Sequence, residues 1–543
     1  METLKPRALF ERESVKPGRR TELALMAQLC AVGRPLDAKR PPLSVCFVVD
    51  ASGSMKGQPL THVQESLRAL FDLLAPTDKV GVVAFSDSAS VVAESAPLSP
   101  EAKRQLRRRC DAIDATGQTN LERGLVLGHK VLGARAAHER QVLVLLSDGE
   151  ANQGVTAPAG LQEIASKMRP DVSITTLGYG ARHNPDVLAA VANAGGGQYW
   201  FIPDPTEARV EFARAVGAQS DVVAEAVELV FGPGDGAELV EVIGARPRLS
   251  KDGLVVPQPD LRENAERVAV ARVLIDAPKE PQEIVGAVVK VRFRRAGSAE
   301  TTTLEQRVPL RVVDAEPALV VEVHAAAALA KAEVGRAEAR ALADQGRFDA
   351  AAAILRRHMS VLEAVPGYKK MDGSALSEAV EQLVDEVTAY ERRPSGAEYA
   401  EFKATQLGVD VAQGGKHVAD QKSARVTAWV DQASGQVIKG GHVIVRGPGG
   451  VELTRVPLCA ELTVGRVPGN DIVIAAGNIS KRHARIVVRD GKAIVVDLKT
   501  TNGTFVNGKR VISPMVLKAS DRVVVGDHTI EVVNAEPGAK PKP

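Results

Sequence analysis

Apolar positions recur along the chain in several rhythms, and each predicts a different architecture. Residues 1–42 hold one apolar stretch, Leu23 to Val32, in a charged surround closed by Pro41-Pro42, which predicts one or two strands. Residues 43–216 alternate β-rich runs with helical spacing. Leu43–Val49, Val80–Phe85, Gln141–Leu146, Ser173–Leu177 and Gln198–Ile202 read as strands, and His62–Leu74 as a helix. Continuous apolar runs suit strands buried on both faces, and their alternation with helices predicts an open, doubly wound parallel α/β sheet. Over 217–316 the runs are short and separated by Gly, Pro and Asp clusters: Ala226–Phe231, Arg267–Leu274, Ile284–Phe293 and Gln306–Val313. That spacing predicts an antiparallel β-sandwich.

Residues 317–394 turn Ala-, Leu- and Glu-rich with helical spacing, broken at Asp344-Gln345-Gly346-Arg347 and at Pro366-Gly367. Three helices are expected, at 322–344, 348–364 and 374–392. Residues 395–437 are mixed and polar and read as a linker. Short strands with glycine turns return over 438–534, predicting a second β-sandwich, and 535–543 form a tail expected to be disordered. The chain is therefore expected to be multidomain. Its 543 residues exceed what one core can organise.

Composition narrows the function. The net charge of +2 removes the electrostatic case for nucleic acid or an anionic membrane. No apolar run is long enough to span a membrane, and Met1 to Pro6 lacks the apolar core of a signal peptide, so a cytoplasmic location is expected. Cys30, Cys46, Cys110 and Cys459 are far apart, and buried thiols in a reducing compartment are the plain expectation. Aromatics make up only 3%, so the cores must be built from Val, Leu, Ile and Ala. The Ala-, Val- and Arg-rich composition points to a bacterial chain.

Two ordered constellations carry chemistry. The strand Leu43–Val49 runs into Asp50-Ala51-Ser52-Gly53-Ser54, where ligands collect in an open α/β sheet. Gly117-Gln118-Thr119-Asn120 and Ser147-Asp148-Gly149 should arrive at the same edge. Together they offer carboxylates and hydroxyls without His or Cys, a hard-oxygen set suited to Mg²⁺. Taken alone, Asp50-Ala51-Ser52-Gly53-Ser54 would also fit a helix N-cap. Asp-x-Ser-x-Ser, a later Thr and a later Ser-Asp-Gly resemble the metal-ion-dependent adhesion site of von Willebrand factor A (VWA) domains, over about residues 43–216, and Gly195–Ile202 resembles that family's last strand. The resemblance implies a divalent cation, Mg²⁺ or else Mn²⁺ or Ca²⁺, ligated by Ser52, Ser54 and Thr119, with Asp50 and Asp148 acting mainly through water. It also implies a protein partner whose acidic residue completes the site.

The second set lies at the C-terminal end. Gly465-Arg466, Ser480-Lys481-Arg482-His483, Asp497-Leu498, Thr500-Thr501-Asn502-Gly503-Thr504 and Asn507-Gly508 supply cations, hydroxyls and an amide, the groups that bind a phosphate ester. Individually they have plainer readings. Asn507-Gly508 is a good hairpin turn, His483 suits a satisfied core position, and a lone Arg466 or Arg482 would be a solvated surface charge. In order, Gly-Arg, Ser-x-x-His, Thr-Asn-Gly-Thr and Asn-Gly resemble the forkhead-associated (FHA) domain, over about residues 440–534. The resemblance implies phosphothreonine peptides as ligand. Arg466 and Ser480 would hold phosphate, Lys481 or Arg482 and Thr501 would support it, and Asn502 would bind the peptide backbone. Gly465, His483, Gly503 and Asn507 would be architectural.

The middle is less specific. Strands before residue 43 and a β-rich block after 217 resemble bacterial proteins whose VWA domain is inserted into a β-sandwich, so Leu23–Val32 would pair with later strands. The segment Ala339 to Ala350 resembles half of a tetratricopeptide hairpin, but a solenoid needs at least three repeats and a plain helical hairpin is expected. No GxxxxGK[ST], HExxH, GxSxG or kinase signature occurs, and hydroxyl-rich metal ligation explains Asp50 and Asp148 better than an acid–base pair. The expectation is a non-enzymatic adaptor tied to a Ser/Thr kinase. The alternative is an accessory subunit of an ATPase or secretion machine whose assembly the FHA domain controls.

Overall fold

The computed structural model of the chain describes residues 3–33, 40–148, 151–180, 183–202, 208–368, 374–413, 442–458, 461–466, 470–480, 483–489, 492–498, 500, 502–511, 515–518 and 521–533. Residues 1–64, 74–206 and 218–418 belong to one compact unit, and the C-terminal strands to another.

The β-rich run Leu43–Val49 makes a central strand of the α/β sheet. All eight residues of strand Leu43–Asp50 are buried, with both edges paired and helix Leu121–Leu132 packed against it. The sheet order is Ala89–Pro97, Lys79–Phe85, Leu43–Asp50, Arg140–Ser147, Val172–Tyr179, Gly196–Ile202. All neighbours are parallel except the first pair, where Ala89–Pro97 adds an antiparallel edge. The sequence pattern does not reveal this strand, because most of its residues are solvated and only Ala93 is fully buried. Helix Leu121–Leu132 crosses the sheet closely. A Cβ at Gly124 would lie 2.8 Å from the Phe85 ring, so glycine permits the approach.

A sandwich surrounds this domain in sequence. One sheet runs Leu4–Phe10, Arg20–Ala31, Glu266–Asp276, Ala237–Val242, with Leu23 opposite Val273. The other runs Arg248–Ser250, Gly253–Pro257, Val222–Pro233, Gln282–Arg295, Thr301–Val312, Ser14–Val15, and Leu261–Arg262 pairs with Val222–Pro233. Leu4, Leu25 and Leu29 share one core with Phe231, Val291 and Leu310. The α/β domain is thus an insertion between strands of one sandwich. Buried Arg140, at the start of an α/β strand, anchors it by donating to Asp260 and to Gln219, at 2.7 and 2.8 Å.

Among the described residues four helices follow: Val321–Ala343, Phe348–Glu363, Ala375–Glu391 and Gly396–Gln413. The fourth corrects the expectation of a linker over 395–437. Ser395 and Glu398 form a capping box, with Ser395 N donating to Glu398 Oε2 at 2.8 Å and Glu398 N to Ser395 Oγ at 3.4 Å. Tyr399 and Phe402 pack on the helical core, and Leu407 on the α/β core. Lys403 bridges Asp186 and Asp344 at 2.5 and 2.8 Å. The rest of that segment, 414–437, and the tail 535–543 lie outside the described residues.

The C-terminal unit is a second pair of sheets. One is ordered Glu452–Pro457, His442–Arg446, His528–Val533, Arg522–Val525, Thr504–Val506, Lys509–Arg510. The other is ordered Ile472–Val473, Glu461–Gly465, Ala484–Arg489, Lys492–Asp497, Met515–Leu517. Alternating Val and Ile side chains, among them Val445, Val464, Ile486, Val495 and Ile530, fill the space between them.

Cys46 and Cys110 are buried, but Cys30 is only half-buried, a departure from the buried-thiol expectation. Its neighbours Leu29 and Ala31 take the inward positions of strand Arg20–Ala31. Cys459 is outside the described residues. Among the described residues no helix is long and apolar enough to cross a membrane.

Candidate functional sites

Three distant segments meet at the carboxyl edge of the α/β sheet. Asp50 ends its strand fully buried. Its Oδ1 accepts from Ser52 N at 2.8 Å and its Oδ2 from Ser147 Oγ at 2.6 Å. Ser52 Oγ lies 3.0 Å from Ser54 Oγ, and Ser54 donates to Asp148 Oδ1 at 2.7 Å. Ser52 stands at the N-cap of the short 3₁₀ turn Gly53–Met55, yet its side chain caps no amide there. The plain capping reading of the pentapeptide therefore does not describe Ser52.

The Thr119 loop is locked to the Asp50 loop through backbone. Thr116 N donates to Ala51 O at 2.8 Å, and Gly53 N to Gly117 O at 3.0 Å. Asn120 caps helix Leu121–Leu132, accepting from Arg123 N at 3.1 Å, which fixes the residue before it. Thr119 N donates to Asn152 Oδ1 at 2.8 Å, and Asn152 N returns a bond to Thr119 O at 3.1 Å.

Electrostatics at this edge favour a cation. Burial pushes the Asp50 carboxyl up to about 6, against hydrogen bonds from Ser147 and Ser52, and the nearby Asp148 charge adds to the rise. Among the described residues no group of three or more His, Cys, Asp or Glu could hold a metal. A cation here would have to draw on hydroxyls. Two carboxylates and three hydroxyls fit a hard divalent cation such as Mg²⁺.

In the C-terminal unit, a buried histidine organises the loops. Ser480 N donates to His483 Nδ1 at 3.0 Å, so the ring proton sits on Nε2 and is donated to Gly503 O at 3.1 Å. Burial holds His483 below its ordinary pKa, partly offset by the Gly503 carbonyl and by Asp497. Thr500 Oγ1 accepts from Gly503 N at 3.1 Å and donates to Asp497 Oδ1 at 2.8 Å, which also accepts from Thr504 at 2.6 Å. Burial alone would raise the Asp497 carboxyl, but the Thr504 and Thr500 bonds outweigh it and hold it low.

Around this centre stand the predicted contact residues. Arg466 donates from its backbone to Ser480 O at 3.0 Å and from Nε to Ile479 O at 3.2 Å. Gly465 ends the strand before it. Exposed Asn502 donates to Asn478 O at 2.8 Å. Asn507 and Gly508 make the hairpin turn with φ of +50° and +80°, and Asn507 Oδ1 accepts from Arg522 N at 3.0 Å. Lys481, Arg482 and Thr501 lie outside the described residues.

The von Willebrand factor type A domain family matches residues 44–213, and the FHA domain family matches 462–526. The chain joins a VWA domain to an FHA domain. An uncharacterized protein of Synechocystis sp. is 29% identical over 285 residues, covering 50% of this chain and 67% of that protein. Human inter-alpha-trypsin inhibitor heavy chain H4 is 30% identical over 147 residues, covering 26% of this chain and only 16% of the heavy chain. A solved von Willebrand factor type A protein from Catenulispora acidiphila superposes with a TM-score of 0.55 at 18% identity, over 70% of this chain and 89% of that one, which shows the fold.

Some supporting residues escaped sequence reasoning. In the VWA domain Asn152, the clamp on Thr119, is one, and Ser147 was legible as part of Ser-Asp-Gly but not as the clamp on Asp50. In the FHA domain Thr500 and Asp497 were legible as part of the motif but not as the partners that brace the His483 loop. Asn478, which holds Asn502, carried no signal at all.

Proposed function

We propose that the chain is a non-enzymatic adaptor with two ligand-reading faces. VWA and FHA domains are interaction modules, and this chain carries both. The observation that carries the VWA reading is the hydrogen-bonded chain Ser147–Asp50–Ser52–Ser54–Asp148, which gathers donors from segments 97 residues apart onto one sheet edge. Asp50, Ser52, Ser54, Thr119 and Asp148 would hold Mg²⁺, or Mn²⁺ or Ca²⁺. Bound there, the cation supplies a coordination position for an acidic side chain of a partner. Ser147 keeps Asp50 turned toward that edge, and the Gly53–Gly117 bond holds the Thr119 loop beside it.

The FHA domain reads phosphothreonine. Arg466 is anchored through Nε, and its Nη groups donate to the phosphate together with Ser480. Lys481, Arg482 and Thr501 add charge and hydroxyl, and Asn502 holds the peptide backbone. A Ser/Thr kinase writes the mark, which makes recruitment through this chain dependent on phosphorylation.

The test uses the full chain. Titration calorimetry with Mg²⁺ or Mn²⁺ should show one site that Asp50→Ala removes; equal heats from both proteins would reject the metal reading. Fluorescence anisotropy with a degenerate phosphothreonine peptide library should show binding that Arg466→Ala weakens roughly 10- to 100-fold. No binding by the wild type at high micromolar peptide would mean that the FHA domain is a scaffold and not a reader.

A further inference from the structure

The loop leading into Ser480 has little ladder structure of its own, lying between the short strand Ile472–Val473 and strand Ala484–Arg489. It is tied down from three directions. Arg466 holds Ile479 O and Ser480 O, at 3.2 and 3.0 Å. Asn502 Nδ2 holds Asn478 O at 2.8 Å. The third tie comes from the opposite sheet, where Asn478 Nδ2 donates to Asp527 Oδ2 at 2.8 Å.

Asp527 sits in the turn between strands Arg522–Val525 and His528–Val533. That turn presses directly on the loop. A Cβ at Gly526 would lie 2.8 Å from Asn478 Oδ1 and 2.9 Å from Ile479 Cγ1, and Gly526 has φ +57°. The carboxylate and the glycine together fix where Asn478 stands. Asn478 in turn fixes Asn502 through its carbonyl, and it lies two residues before Ser480.

We propose that Asp527 is a positioning residue of the phosphothreonine site, setting the Asn478–Ser480 loop from across the sandwich. The inference rests on the phosphothreonine reading of Arg466, Ser480 and Asn502. Phosphate and peptide backbone must be met by groups on separate loops, Ser480 on one and Asn502 on the other. Asn478 binds Asn502 through its carbonyl and precedes Ser480 by two residues, so its position bears on the spacing between them. Side chains that touch ligand need supports that hold them to about 0.5 Å. A charged acceptor supplies a stronger hold on an amide donor than a neutral one.

The test measures anisotropy of the full chain with the degenerate phosphothreonine library, alongside thermal melting. Asp527→Ala should weaken binding about fivefold, the scale expected when a support is lost and not a contact. Asp527→Asn keeps an acceptor oxygen and should stay within about twofold of wild type. Asn478→Asp sets two carboxylates against each other and should weaken binding further. Combining Asn478→Asp with Asp527→Asn reverses donor and acceptor and should restore affinity, even if a single variant melts early. Wild-type affinity in Asp527→Ala, or a double variant no better than Asn478→Asp alone, overturns the inference while leaving the reading intact. Failure of the wild type to bind the library overturns the reading and this inference with it.

Discussion

At the edge of the VWA sheet the donors are themselves the scaffold. Asp50, Ser52, Ser54 and Asp148 are hydrogen-bonded to one another, and regular strands and a capped helix deliver them. In the FHA domain the most deeply buried brace, His483, is not a proposed contact, although Arg466 and Asn502 also tie the Ser480 loop. His483 is fully buried and braces two loops, while Asn502 stands exposed on one of them. The difference teaches where mutations should register. In the VWA domain a donor and its support fail together, whereas in the FHA domain folding and reading can be damaged independently.

The sharpest break of that contrast is His483→Ala. It removes a buried ring with hydrogen bonds at both nitrogens and should cost the FHA domain about 3–5 kcal/mol. Calorimetric melting of the full chain should then show the FHA transition fall while the VWA transition stays. A shift of both transitions would mean that the two domains do not unfold separately.

The VWA domain has its own buried histidine, and acid should find it. His183 Nδ1 donates to Gly180 O at 2.5 Å and Nε2 accepts from Tyr199 at 2.6 Å. Burial pushes its pKa from 6.5 down to about 4. Below 6.5 the unfolded chain binds a proton that the folded one refuses. Stability is therefore lost as pH falls from 6.5 toward 4, by about 3 kcal/mol in all. Melts at pH 7, 5.5 and 4.5 should show a VWA slope that His183→Gln flattens, and parallel slopes would refute the assignment.

Next in size is Ser147→Ala, which removes the bond turning Asp50 toward the edge. Metal affinity should drop about tenfold, as supports of metal ligands usually cost. Calorimetric titration with Mn²⁺ reads it directly, and unchanged affinity would make Ser147 a bystander. The smallest effect sharpens the contrast from the other side. Asn502→Ala removes one exposed tie to Asn478 O and should lower the FHA melting free energy by no more than about 1 kcal/mol. A larger loss would make Asn502 a brace comparable to His483.

The legible parts of the chain were those whose signal is local. Strand Leu43–Asp50 announces itself because every residue is buried, and Arg20–Ala31 shows through its apolar stretch. Strand Ala89–Pro97 stays hidden because its exposed edge carries no apolar rhythm. Helix Gly396–Gln413 was masked by Gly, Gln and Lys, although Ser395 and Glu398 spell a capping box. The donors of both sites lie in short ordered motifs and could be named. The pairings that clamp them could not, because the bonds Ser147–Asp50 and Asn478–Asp527 join residues 97 and 49 positions apart. Nothing in a linear pattern ties such residues together.

The insertion of the VWA domain has a consequence for synthesis. Strand Arg20–Ala31 leaves the ribosome early, but its neighbour Glu266–Asp276 pairs Asp276 with Arg20, 256 residues later. At about 5–20 residues per second that is a wait of roughly 10–50 s. During it the strand carries Leu23, Leu25 and Leu29, destined for the sandwich core, beside a hydrogen-bonding edge that has no partner yet. The inserted domain can complete itself meanwhile, since its six strands lie between residues 43 and 202. The nascent chain is thus a finished globule trailing an adhesive N-terminal ribbon, and that ribbon is where a ribosome-bound chaperone would have to act.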